Sequence, residues 1–219
     1  MTDNRKAGLA LIAGSLGGVL TMAIHPTAGG PLTPEQVSRL ALVSGVAHSI
    51  AIVSLVVLFL GACGLAKNVA APDQLSFAAI VIFAFACVAI FIAATVSGFI
   101  IPAIMRRMAQ HIPADQTPWQ VAITSIFQIN QAFSRIYSVA ASLAIILWSL
   151  SSLRNGGLNR GIAIYGCVIA IAIIVAVSSG HLRLDVHGMA AVWFAQALWF
   201  TLSGFYLWAR PDVPSLQTS

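Results

Sequence analysis

The sequence predicts an all-α, polytopic membrane protein, a bundle of six transmembrane helices forming one domain over residues 1–219. Three observations predict it. Hydrophobic residues make up 59% of the chain, against about 45–50% in soluble domains. Charged residues are only 8%, where about 25% is usual, and mean hydropathy is +0.92. The charges are also partitioned: the six long apolar stretches contain no Asp, Glu, Lys or Arg. Water cannot solvate a surface so poor in charge, which excludes a soluble globular protein. The same composition excludes a disordered chain, a collagen and a secreted disulfide scaffold. The net charge of +5 comes from basic residues scattered over the connections with no basic run. No nucleic-acid partner is expected; the bilayer is the partner.

A bilayer core about 30 Å thick requires about 20 apolar helical residues. The first span, Ala7–Ile24, repeats small residues every four positions at Ala10, Gly14 and Gly18, a face suited to close helix packing. Arg5 and Lys6 before it also suit a signal peptide. The apolar run exceeds the usual h-region of about 7–15 residues, however, and no clear A-x-A site follows, so an uncleaved helix is expected. The second span, Leu40–Ala66, follows a connection punctuated by Pro26, Gly29, Gly30, Pro31 and Pro34. The third, Ser76–Ile101, follows Pro72; its Gly98 and Pro102 lie too near its end for a transporter-like broken helix.

The fourth span, Ile136–Leu153, is preceded by a segment that is already helix-patterned. Thr124, Gln128, Gln131, Arg135, Ser138 and Ser142 recur at spacings of three and four, which puts them on one helical face. A helix beginning near Pro118 and running past the bilayer on the outer side is expected. The alternative is an interfacial amphipathic segment over Trp119–Ser134, then a kink. The fifth span, Gly161–Gly180, follows Asn155-Gly156-Gly157, and the sixth is Gly188–Ala209. All six runs are continuously apolar without period-two alternation, which favours helices over barrel strands. No internal repeat is present.

Lys and Arg in the short connections set the orientation. Arg5, Lys6, Lys67, Arg154, Arg160 and Arg210 fall on one side, and Arg39, Arg106, Arg107 and Arg183 on the other. Both termini are therefore expected in the cytoplasm, although the Arg106–Arg107 pair pulls the other way.

Few residues could carry chemistry. Cys63, Cys87 and Cys167 sit in three different spans without a C-x-x-C and read as small apolar packing. The five histidines, His25, His48, His111, His181 and His187, all fall in the outer half of the expected topology. Imidazole suits Zn, Cu and Fe, which makes His25, His48 and His187 a candidate metal set, and His48 with His187 a candidate haem pair. An interfacial histidine reaching water is the plainer reading. Arg135 at the edge of the fourth span costs at least a few kcal/mol unless paired. Its candidate counter-charges are Asp115 and Asp185, and Gln128, Asn130 and Gln131 extend the polar surface above it. Ser178-Ser179-Gly180-His181 approximates a membrane-phosphatase element, but the basic and S-R-containing elements that should accompany it are missing. There is no Walker A, G-x-S-x-G or H-E-x-x-H motif, and no lysine within a span for a Schiff base.

The expectation that follows is a polar pocket in the outer half that binds a small ligand, metal or lipid-derived molecule. His48, Gln131, Arg135, Asp185 and His187 would face one shared cavity. No cofactor is identified beyond the metal and haem candidates. The competing expectation is a structural or accessory subunit of a homo-oligomer or larger membrane complex, in which these groups only hold helices together.

The run A-G-L-A-L-I-A-G from Ala7 to Gly14, the His25-Pro26 pair and Gly45-Val-Ala-His48 resemble a broad group of small, uncharacterised multi-pass proteins of bacterial inner membranes. The resemblance spans the first two helices and the six-helix plan. It implies that membrane and no activity.

Overall fold

In the computed structural model the described residues are 3–26, 32–69, 74–110 and 116–210. They form α1 (Asp3–Ala23), α2 (Pro34–Val69), α3 (Gln74–Thr95), a single π turn (Val96–Ile100), α4 (Ile101–Met108), α5 (Thr117–Asn155), α6 (Arg160–Ser178) and α7 (Val186–Ala209). The run from α3 through the π turn to α4 is one continuous rod, Gln74–Met108. Counted that way, six helices are long and apolar enough to cross a membrane, as an integral, multi-pass membrane protein requires.

The helix ends follow local chemistry. Asn159 caps α6, its Oδ1 accepting from the Gly161 N–H at 2.8 Å, and Gly156 closes α5 in the left-handed conformation (φ 75°) that L side chains avoid. Two helices outrun their predicted spans. α2 begins at Pro34 rather than Leu40, and the third rod continues to Met108 rather than stopping at Ile101. Beyond the apolar core a helix still satisfies its own backbone, so it ends where a turn residue stops it.

α5 settles the reading of the fourth span in favour of the long helix. It is unbroken over 39 residues, about 58 Å at 1.5 Å per residue. Along its polar stripe, Thr124, Gln128 and Arg135 are exposed, Gln131 is half-buried, and Ser138 and Ser142 are buried. The stripe thus changes role along its length.

Helix α1 packs on α2 and α7, α3 packs on α5, and α5 packs on α6. Between lipid-covered helices the driving force is close packing and hydrogen bonding rather than water exclusion. Small residues supply the closeness: a Cβ on Gly204 would lie 2.7 Å from the Gly8 carbonyl oxygen, and one on Gly14 would run into the backbone of Leu58. Toward one end the core is aromatic, with Trp148 stacked on Trp199 (6.1 Å) and Phe83 edge-on to Trp148 (5.6 Å). Gln196 ties α7 to α5, its Nε2 donating to Ser142 Oγ at 3.0 Å. The opposite end holds His25, the π turn and the start of α7. A cavity opens there.

The π turn has a specific cause. Pro102 has no N–H to donate, and its ring crowds the carbonyl one turn back. The chain relieves this by holding one extra residue, so that the Ile101 N–H bonds the carbonyl of Val96.

Candidate functional site

Five of the helical rods converge at the His25 end around a cavity of about 90 Å³, enough for several waters or a small ligand. Met22 lines it from α1, His48 from α2, Ser97 from the π turn, Asn130 from α5, and Met189 and Trp193 from α7. No carboxylate and no cysteine is among its lining residues.

His48 is buried and fixed by its own helix. Its Nδ1 lies 2.8 Å from the Ser44 carbonyl oxygen, and the Ser44 hydroxyl donates to the Ser97 carbonyl at 3.1 Å. A carbonyl only accepts, so Nδ1 carries the proton, and in the neutral ring Nε2 carries a lone pair. The π turn makes room for this ring: a Cβ on Gly98 would lie 2.7 Å from His48 Cγ. His25, just past α1, repeats the arrangement with Nδ1 3.1 Å from the Pro26 carbonyl. The two imidazoles meet edge to face, centroids 5.1 Å apart at 71°. Burial pushes His25 below its ordinary pKa, partly opposed by the bond to Pro26.

Two polar atoms among the lining residues lack partners. Asn130 Oδ1 and Trp193 Nε1 are buried with no hydrogen bond, on residues each only 8% exposed. An unsatisfied buried donor or acceptor costs about 1–3 kcal/mol. Trp193 is held nonetheless, stacked on Tyr137 at 5.5 Å and seated against Gly18.

The residues singled out in the sequence divide. His48 lines the cavity and His25 touches it through the ring contact. Gln131 faces elsewhere, its Nε2 donating to the Leu184 carbonyl at 3.0 Å. Arg135 and His187 are exposed. Asp185 does not pair with Arg135; its carboxylate caps α7, Oδ1 accepting from the Gly188 N–H at 2.9 Å. Lys6 pairs with Asp3 at 3.4 Å on the exposed first turn of α1. Nor do His25, His48 and His187 assemble as a metal set, since no three of His, Cys, Asp or Glu gather among the described residues. His111 and Asp115 lie outside those residues.

Residues that the sequence reading did not count among the site candidates fill the gap. Asn130 and Ser134 are one helical turn apart and share the buried face of α5, a signal masked by the more polar stripe beside them. Met22 precedes His25 by three positions, in the last turn of α1. Trp193 carried no sequence signal. No family model, curated protein or solved structure matches this chain.

The arrangement suits binding more than bond-making. It offers imidazole lone pairs, a thioether, an amide oxygen and an indole N–H on otherwise apolar walls. A ligand site is typically mostly apolar, with a few placed polar groups.

Proposed function

We propose that the protein is a single-domain protein of the bacterial inner membrane, with both termini cytoplasmic. Its cavity lies in the outer half of the bundle and binds a small ligand, metal or lipid-derived molecule. The observation that carries this reading is the pair of orphaned buried atoms, Asn130 Oδ1 and Trp193 Nε1, on residues lining one cavity with His48. A guest that hydrogen-bonds both removes a penalty that the helices alone leave standing here, as they also do at five buried atoms of the described residues away from the cavity, among them Trp148 Nε1 and Gln196 Oε1.

The test is native mass spectrometry of the protein extracted in its own lipids, compared with the cavity-filling variant Ala93→Phe. Ala93 is a buried lining residue, and a ring there occupies the void. A small molecule or metal ion retained by the wild type and absent from the variant is the expected result. An empty wild type, or the same adduct on both, overturns the binding reading in favour of an accessory subunit.

A further inference from the structure

We propose that His25, His48 and Met22 hold a monovalent copper ion at the His25 end of the cavity. This deepens the binding reading above and rests on it. Three observations converge. First, both imidazoles place Nδ1 against a main-chain carbonyl, at 3.1 Å for His25 and 2.8 Å for His48, which leaves the Nε2 lone pairs for a ligand. A ring N–H held by a carbonyl is the arrangement that orients metal-ligating histidines. Second, the two rings are already in contact, centroids 5.1 Å apart. Third, a thioether is at hand. Met22 stands in the last turn of α1, three positions before His25, and Ile24 still donates its N–H to the Leu20 carbonyl at 3.0 Å. Met22 also lines the cavity with His48. Met189 lines it too, but Ser138 Oγ contacts its sulfur at 3.9 Å, leaving Met22 as the free thioether.

The donor chemistry selects the ion. Two neutral imidazoles and a thioether form a soft, uncharged set of low coordination number, which favours Cu(I). Zinc usually takes four ligands, and no carboxylate or thiolate lines the cavity to offset a second positive charge. The desolvation cost of an ion rises with the square of its charge, so a monovalent ion is held at about a quarter of the divalent cost. Binding releases no proton, because both Nε2 atoms are unprotonated in the neutral rings.

The full-length protein in detergent is titrated anaerobically with Cu(I) against the chelator bicinchoninate. The expected result is one Cu(I) per chain, undisturbed by equimolar Zn(II), with a mixed nitrogen and sulfur shell by X-ray absorption. Met22→Leu preserves volume and should leave the fold intact. Losing a direct ligand should weaken Cu(I) binding by more than the roughly 10–100-fold typical of losing an outer-shell partner. His25→Gln should do the same, and each variant is checked for an unchanged melting profile. Folded wild type that takes up no Cu(I), or equal uptake in both variants, overturns the copper site. An organic adduct lost from Ala93→Phe without any copper uptake overturns the copper site alone. Absence of both adduct and copper overturns the cavity reading with it.

Discussion

The indole of Trp193 occupies the space that a side chain on Gly18 would need; a Cβ there would meet ring atoms Cζ2, Cε2 and Nε1. Helix α1 can approach α7 at this level only because residue 18 has no side chain, and the approach walls one side of the cavity.

Gly18→Ala therefore sets two effects against each other. Alanine gains about 1 kcal/mol over glycine in a helix interior, while forcing a packed ring to move costs about 1–3 kcal/mol. A net loss of stability is expected in thermal melts of the detergent-solubilised protein. Gly45→Ala is the control: its Cβ would find only Phe99 Cε1 at 3.9 Å, so neutral or raised stability is expected. Equal melts for the two variants would show that the indole yields freely.

Asn130→Leu replaces the orphaned acceptor with an apolar side chain of the same branching and a somewhat larger volume. Stripped of ligand by exhaustive detergent exchange, the variant should match or exceed wild type by about 1–2 kcal/mol, since the penalty at Oδ1 disappears. In native-lipid discs the order should reverse, because only wild type is stabilised by its guest. Paired melts in the two media check it; a variant less stable in both would mean that Oδ1 has a partner.

Acid should loosen the His25 end. The folded protein holds His25 below its ordinary pKa of 6.5, chiefly by burial. Well above about pH 6.5 the ring is neutral folded or unfolded, and stability is indifferent to pH. Below it the unfolded chain takes up a proton that the folded ring resists, so stability falls as pH falls toward the folded value. Melts between about pH 8 and pH 5 should show this decline, with a shallower slope in His25→Gln. A slope identical in the two proteins would remove His25 as its source.

Topology is checked by membrane-impermeant thiol labelling in a background with Cys63, Cys87 and Cys167 replaced by alanine. Thr117 and Asn155 stand at opposite ends of α5. With both termini cytoplasmic, Thr117→Cys should label from outside the inner membrane, and Asn155→Cys only after permeabilisation. The reverse pattern inverts the orientation and moves the cavity to the cytoplasmic half.

The bundle was legible because lipid imposes a simple rule: a charge-free run long enough to cross becomes a helix. That rule says little about ends or facing. α2 reaches back to Pro34 and α5 up to Thr117 because a helix outside the apolar layer has no reason to stop there. Facing decided the site. His48 stood out as an imidazole within an apolar run, and its ring does line the cavity. Arg135 and Asp185 stood out for their charge, yet charge is what draws such groups outward, one exposed and the other taken up in a helix cap. Asn130 was read only as part of the polar surface above Arg135, and Met22 and Trp193 were overlooked because, taken singly, a thioether and an indole are ordinary in a membrane helix. Only the folding of five rods onto one void gives them a common address.

The π turn at Val96–Ile100 has an effect that reaches beyond the ring it accommodates. A surplus residue shifts the phase of everything downstream by about 100°, the angle between successive residues of an α-helix. The facing of Met105, Arg106 and Arg107 therefore depends on the extra residue held in the π turn as well as on their own places in α4. A chain one residue shorter between Val96 and Ile100 would re-aim both guanidinium groups and at the same stroke close the gap that admits His48. Chain length at this one point couples the basic edge of the protein to its interior.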